Sequence, residues 1–581
     1  MTWKLVKTQN KWLAEERGTI TKDWGGKLAL ALAYPNRYAV GMANLGFQTV
    51  YFALNQFPRV VCERVFFPEP EDFNLLMKGS AKSIISVETQ RSLREFDIIA
   101  FALNFESDFP NILRMLDLSG INLLPPERSG HDPFLMAGGV ATFLNPEPLA
   151  PFFDFFLLGE VDDLLQRFVS TFQKARDKRL DREQTLTLLA ENVPSLYVPS
   201  FYEVSYSSEG HVTEFRSKGS YPEKVRCHHR EKLEFPTCKT HIFTSHCEFS
   251  NVNLIEIGRG CGRGCRFCAA GYIYRPPRYA TFNDIVDGVK SSLDVTSRVG
   301  LLSPAVIDHP EIENISRTLK NMNCQTSVSS LRADSLTGSL LENLTESGHF
   351  SVAIAPDAGS ERLRRVINKN LSEDDILNAA EKLAFAGLKN IKLYFMVGLP
   401  TETREDVEAI VKLVKQLKHR VLSSSHGKKY LATLTLSINS FVPKPFTPFQ
   451  WVGFTPVKEL KERIKIVRNG LKGVPNVRIH CDLPKWAYRQ AILSRGDRRV
   501  SLLLQAINEN QGNWQKALEN VNLNPDFYAS RERQKEEIFP WDFIDHGIKK
   551  EYLWDEYQRA LSEEVSPPCD PGICHRCGVC K

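Results

Sequence analysis

The sequence predicts an α/β protein: an N-terminal Rossmann-like open parallel sheet, then a partial (β/α)6 barrel, then a mostly helical C-terminal extension. Three observations predict it. Apolar segments alternate with amphipathic ones from Lys27 to about Arg167, and the alternation returns from Asn253 to Trp451 over six strand and helix units. Between them the pattern is broken by Pro194, Pro199, Pro222 and Pro236. The expected units are residues 1–190, a β-rich connector over 191–246, a barrel over 247–455 and the extension over 456–581.

In the first unit the strand candidates include Lys27 to Ala33, Asp97 to Asn104, Phe134 to Ala137 and Phe152 to Leu158, with helices such as Asn44 to Asn55, Pro110 to Leu118 and Val161 to Phe168. Ligands of such sheets sit at the C-terminal strand ends. Gly138-Gly139 and Gly159-Glu160 fall there, where a missing side chain lets backbone approach a ligand and equally serves an ordinary turn. The connector offers short alternating stretches such as Tyr202 to Tyr206. Barrel strands are expected at Asn253 to Ile257, Arg298 to Val306, Gln325 to Leu331, Phe350 to Ala355, Asn390 to Val397 and Thr433 to Val442. The intervening helices, among them Phe282 to Leu293, Ser335 to Thr345 and Arg404 to His419, complete the units, and the active site of such a barrel faces its C-terminal strand ends.

Composition excludes several classes. The 581 residues, 42% hydrophobic and 25% charged, are ordinary globular material for two to four domains. Met1 to Gly26 has no uninterrupted apolar core of a secretory signal, and no apolar run approaches the roughly 20 residues of a membrane helix, so a cytoplasmic protein is expected. A net charge of +5 implies no polyanionic partner by itself. Thirteen cysteines, an odd number unevenly spread, point to metal or redox chemistry instead of a disulfide scaffold.

The main cluster is Gly260-Cys261-Gly262-Arg263-Gly264-Cys265-Arg266-Phe267-Cys268, directly after the first barrel strand. Three thiolates are one short of closing a 4Fe-4S cluster, which leaves an iron open to a chelating molecule such as the amino and carboxylate groups of S-adenosylmethionine (SAM). Structural zinc is the alternative, with Cys238, His246 or Cys247 as a fourth ligand. The C-x3-C-x2-C spacing with an aromatic residue before the last cysteine resembles the radical SAM superfamily. That resemblance implies reductive SAM cleavage and an electron donor such as flavodoxin or ferredoxin. It also implies SAM contacts from Phe267, Ser329, Arg332, Asp357 (where relatives often carry Glu) and Gly398. The plainer reading of Ser329, Arg332 and Asp357 is barrel-lining polar residues or ion pairs, and of Gly398 a tight turn before Pro400.

Gly138, Gly139, Thr142, Pro146-Glu147-Pro148, Asp154 and Gly159 together resemble the cobalamin-binding domain fused ahead of many radical SAM barrels. The resemblance implies a corrinoid and methyl transfer to an unactivated carbon. The chain departs from the Asp-x-His-x-x-Gly pattern of many such domains, for it has no histidine before His131. At the C-terminus, Cys569, Cys574, Cys577 and Cys580 supply four thiolates for a second centre, either an iron-sulfur cluster or zinc with His575 as a competing ligand. With Phe441 to Trp451, Ser494 to Arg499, Pro540-Trp541-Asp542 and the terminal Cys-Gly-Val-Cys, nearly the whole chain is similar to a largely uncharacterised radical SAM family that has a cobalamin-type domain.

Phe454 to Val500 holds twelve Lys or Arg against four Asp or Glu, which suits either RNA or a solvated helix face. Three functions follow: a radical SAM enzyme, favoured as a cobalamin-dependent methyltransferase; a tRNA-modifying sulfur insertase resembling methylthiotransferases; and an iron-sulfur electron-transfer or cluster-carrier protein.

Overall fold

The computed structural model describes every residue except 1, 79–82, 234–237, 329–330, 337–340, 342–344, 346–350, 425–431 and 581. Ser329 and most of the helix expected over Ser335 to Thr345 lie outside the described residues.

The first sheet is built from β1 (Leu28–Tyr34), β2 (Val60–Phe66), β3 (Ile98–Ala102), β4 (Phe134–Gly138), β5 (Phe155–Leu157) and β6 (Leu196–Tyr197), in the order β2-β1-β3-β4-β5-β6. The first five are parallel, and β6, from the expected connector, closes the edge antiparallel to β5. Every residue of β1 and β2 is buried, as in a sheet covered on both faces. Strand β2 therefore also buries two charges. Arg64 donates to Glu88 Oε1 at 2.6 Å and to Glu16 at 2.7 Å, while Glu63 accepts from Trp24 Nε1, Ser86 Oγ and Thr89 Oγ1.

The second α/β unit contains β7 (Asn253–Glu256), β8 (Arg298–Leu302), β9 (Gln325–Val328), β10 (Ser351–Asp357), β11 (Asn390–Val397) and β12 (Thr433–Ser440). They form a three-stranded and a four-stranded sheet, all parallel, stitched by a parallel bridge between Leu331 and Ile354. The fourth strand of the second sheet is β13 (Val477–Cys481), which pairs with β12 from inside the segment expected to be mostly helical. The barrel thus runs one strand further, and the alternation of Val477, Ile479 and Cys481 with Arg478 and His480 is the pattern of that edge strand.

The rest of the extension folds back over the first domain. Asn145 Nδ2 donates to the carbonyls of Ser494 and Gly496 at 3.1 and 2.7 Å, and Arg498 donates to Glu147 at 2.7 Å. The connector hairpin Tyr202–Tyr206 with Val212–Ser217 packs there too, with Phe215 stacked on Phe543 at 4.3 Å. Among the described residues no helix is long and apolar enough to cross a membrane.

Gly139 has φ +108°, and an added Cβ would lie 2.5 Å from the Leu103 carbonyl oxygen. Gly139→Ala is expected to cost about 1–3 kcal/mol from strain at positive φ, whereas Gly25→Ala, where an added Cβ meets nothing within 4 Å, should be nearly silent. Urea unfolding midpoints of the two variants check this.

Candidate functional site

The cysteine loop follows β7 and is turned by glycines with specific neighbours. Gly260 has φ +80°, with the Tyr274 carbonyl 2.3 Å from where its Cβ would sit, and a Cβ on Gly262 would lie 2.8 Å from the carbonyl of Cys569. The Cys268 N–H donates to the Cys265 carbonyl at 3.1 Å, which folds the last two thiols onto one turn. Burial, then the neighbouring thiols, pushes Cys268 up to about 12 and raises Cys261. Metal binding at such thiols displaces their protons.

Two cations face this loop. Arg332 donates to Asp334 at 3.0 and 2.9 Å and to the Lys369 carbonyl at 3.2 Å. Lys369, which sequence reasoning missed, sits 2.6 Å from Asp357. Burial pulls its ammonium down, but Asp357 and the Cys265 thiol outweigh that and hold it above the ordinary lysine value. Asp357 itself stands at φ +63°, where β10 breaks register with β11. Arg332, Asp357 and Lys369 are thus brought together beside the cysteines.

The other expected SAM contacts are placed differently. Phe267 packs with Met396, Leu399, Phe441 and Phe449 in an apolar cluster shared with the last helix. Gly398, at φ +88°, makes a tight turn: its N–H donates to Glu402 at 2.7 Å, and an added Cβ would lie 2.7 Å from Leu460. Burial pushes Glu402 up to about 7 despite Arg463 beside it.

The loop is held from behind by the far end of the chain. Arg266, fully buried, donates to Glu556 at 3.2 Å, to the Val366 carbonyl at 3.0 Å and to Ser566 Oγ at 3.3 Å. Asn368 bridges the Gly264 carbonyl at 3.1 Å and the Ser566 N–H at 2.9 Å. The tail then meets the loop directly, the Cys569 N–H donating to the Gly262 carbonyl at 2.6 Å. Cys577 is buried, Arg576 Nε lies 3.4 Å from Cys574 Sγ, and His575 is exposed with Nδ1 3.3 Å from the Cys580 carbonyl.

Between the two α/β units lies a cavity of about 490 Å³. One wall is the C-terminal half of the first sheet with helices Leu45–Gln56 and Asp162–Asp177, contributing Leu32, Val50, Ala102, Gly138, Gly139 and Gly159. The opposite wall includes Arg259 and Gly260, the residues immediately before Cys261, with Tyr274 and Ser303. The order β2-β1-β3-β4-β5 puts the cavity at the topological switch point of the sheet. Of the residues expected to contact a corrinoid, Gly138, Gly139 and Gly159 line this cavity, whereas Thr142 is buried and donates to the Gly139 carbonyl at 2.8 Å. Glu147 and Asp154 serve structure, pairing with Arg498 and with Arg128 and Arg182 respectively. Glu160, also on the wall, binds Arg278 at 2.7 Å and Arg259 at 2.9 Å. Burial disfavours its charge, but His229, Arg259 and Arg278 hold its carboxyl well below the usual range.

The basic stretch is partly consumed internally. Arg463 pairs with Glu402, Arg495 is buried against the Tyr528 carbonyl, and Arg498 and Arg499 pair with Glu147 and Asp497.

Comparison with known proteins adds the family. A model described as "Radical SAM proteins, N-terminal" matches residues 46–199, and one described as "Radical SAM superfamily" matches 255–414. The chain is 29% identical over 481 residues to the uncharacterized protein MJ0966 of Methanocaldococcus jannaschii, covering 82% of this chain and 90% of that one. It is 26% identical over 212 residues to a tRNA-2-methylthio-N(6)-dimethylallyladenosine synthase of Hydrogenobaculum sp., covering 34% of this chain and 46% of the enzyme. Among solved structures it resembles TsrM, a radical SAM methyltransferase from Kitasatospora setae with cobalamin and a [4Fe-4S] cluster bound, with TM-score 0.50 and 11% identity over 85% of this chain and 100% of that one.

Glu556→Gln leaves the Arg266 guanidinium buried without its counter-charge, so it is expected to cost about 3–5 kcal/mol and to lower iron retention after anaerobic reconstitution. Unfolding midpoints and iron analysis check both. Two family models fall on the two α/β units, the second of them spanning the C-x3-C-x2-C loop, so the chain carries the radical SAM N-terminal domain and the radical SAM domain of an enzyme working with a 4Fe-4S cluster and SAM.

Proposed function

We propose that Cys261, Cys265 and Cys268 ligate three irons of the 4Fe-4S cluster, that SAM chelates the fourth, and that the reaction is methyl transfer to an unreactive carbon with cobalamin in the interdomain cavity. The observation that carries this reading is the continuity of the cavity, from the C-terminal edge of the first sheet to Gly260 beside the first cysteine. The cluster supplies the electron that cleaves SAM to methionine and a deoxyadenosyl radical, taken from a one-electron donor such as flavodoxin or ferredoxin. Everything else is the chain's own work. Lys369 and Arg332 offer positive charge to the SAM carboxylate, and Asp357 holds Lys369 in place. On the sequence resemblance, Ser329, Phe267 and Gly398 also belong to this SAM site.

The lining of the cavity suits the apolar face of a corrinoid. Its walls are mainly aliphatic and glycine, so a large ring and an apolar arm can lie against the sheet, and none of the lining residues is a histidine. Cobalt would accordingly take no imidazole from this wall. That TsrM, which shares the fold, binds cobalamin and the cluster supports the reading.

The four tail cysteines are read as a second metal centre, and the hydrogen bond from Cys569 to Gly262 supports a role as electron relay into the loop. The second reading, sulfur insertion into tRNA with that centre as sulfur donor, is favoured by the partial similarity to the methylthio synthase. Sulfur-labelled product distinguishes it from methyl transfer.

Anaerobically reconstituted protein with SAM and dithionite should release deoxyadenosine, and Cys265→Ala should reduce it to background. Ala102→Phe, which fills the cavity wall, should abolish the spectral change on adding hydroxocobalamin while leaving deoxyadenosine formation intact. No spectral change with wild type would sink the corrinoid. Iron analysis should give about 8 irons per chain if the tail holds a second 4Fe-4S cluster and about 4 if it holds zinc.

A further inference from the structure

Outside the cysteine loop and the tail, three ligand atoms converge within 4.8 Å of one another, from Cys227, His229 and His546. Their meeting is dictated by backbone. Val225–Arg226 pairs in parallel with Ile544–Asp545, and the Cys227 N–H continues the ladder to the Asp545 carbonyl at 2.8 Å, which brings Cys227 against His546. On the other side, the His228 N–H donates to the Leu158 carbonyl at 3.0 Å, so the next residue, His229, sits beside Glu160.

The ring of His546 reveals its tautomer. Nε2 lies 2.9 Å from the Phe143 carbonyl, which can only accept, so Nε2 carries the hydrogen and Nδ1 presents a bare lone pair. That Nδ1 is buried without a hydrogen-bond partner in a residue 5% exposed. His229 is in the same state: neither ring nitrogen has a hydrogen bond, and Nδ1 faces Glu160 Oε1 at 3.9 Å. The two rings are tilted at 44° with centroids 5.8 Å apart, so neither covers the other. Cys227, 1% exposed, completes the trio. Buried polar atoms left unpaired cost about 1–3 kcal/mol each, and unpaired ring nitrogens gathered with a thiol within 4.8 Å of one another are accounted for by one cation.

We propose that Cys227 Sγ, His546 Nδ1 and a ring nitrogen of His229 bind a single zinc ion, with water in the fourth position. One thiolate and two imidazoles are a borderline donor set that suits zinc. Ligand atoms 2.0–2.3 Å from one ion lie roughly 3.3–3.8 Å apart, so small side-chain rotations close the site. The surroundings match those of metal-bound histidines, whose second ring nitrogen donates to a carbonyl or carboxylate. Phe143 supplies that carbonyl to His546, and Glu160 is the carboxylate facing His229. The ion would clasp the connector to the C-terminal extension behind the cavity wall, with the first domain supplying the outer partners Phe143 and Glu160, independently of the cluster and of SAM.

The test uses the full-length protein. Zinc-edge X-ray absorption of the quadruple variant with Cys569, Cys574, Cys577 and Cys580 changed to Ser, which removes the tail as a zinc site, should show one sulfur and two imidazole scatterers. Zinc content should be about one per chain and fall to near none when His229→Ala or Cys227→Ser is added. Cobalt(II) in place of zinc should give a thiolate charge-transfer band that disappears with the same substitutions. Zinc-free quadruple variant that takes up no cobalt, a scatterer set without imidazole, or metal content unchanged by His229→Ala each overturns the proposal. The absorption measurement leaves Cys227 and both histidines intact, so the outcome stands even if Cys227→Ser fails to fold.

Discussion

A run of glycines and cysteines cannot hold its own shape, and the loop from Gly260 to Cys268 is shaped almost entirely by what presses on it. The decisive contact is Arg266, whose buried guanidinium, one residue from Cys265 and two from Cys268, reaches Glu556 and Ser566. Burying this pair is expensive unless each hydrogen finds an acceptor, and the Arg365 and Val366 carbonyls supply the remainder. The result is specificity of position: the thiols can occupy one arrangement because the arginine between them has one satisfied pose.

The same economy governs the meeting of the two α/β units. Each sheet presents its C-terminal strand ends, where glycines and short side chains leave room, and the two sets of ends face each other across the cavity. Glu160 is the joint. Reaching from the end of the first sheet, it binds Arg259 and Arg278 on the short antiparallel pairing that frames the cysteine loop. A ligand held by the first domain would therefore be registered against the cysteine loop by a buried ion pair, without depending on a flexible linker.

What the sequence disclosed was local. The spacing of Cys261, Cys265 and Cys268 declares metal chemistry because three sulfurs so close together have few other uses, and the apolar runs of β1 and β3 declare parallel strands because both faces are buried, whereas β11 and β12 alternate buried with more open positions. Position β13 was readable by its alternation but lay beyond the apparent end of the barrel. Lys369 was hidden for another reason. It looks like any surface lysine in Asn368-Lys369-Asn370, and only the turn that follows helix Glu361–Val366 carries it to Asp357. Cys227 and His546 stand more than three hundred residues apart, and no periodicity links them until a two-residue ladder does. Thr142, Glu147 and Asp154 show the converse: a motif recognised by resemblance whose side chains, in this chain, hold the domain together.

The clamp on Arg266 also orders events during synthesis. Glu556 follows Arg266 by 290 residues, a stretch that takes a ribosome roughly 15–60 s to translate at about 5–20 residues per second. For that interval the three thiols lack the Glu556 and Ser566 half of their backing. A nascent chain thus exposes an open, accessible cradle to the machinery that delivers iron and sulfide, and the closing of the carboxy-terminal helix over it comes afterwards, as the last act of assembly.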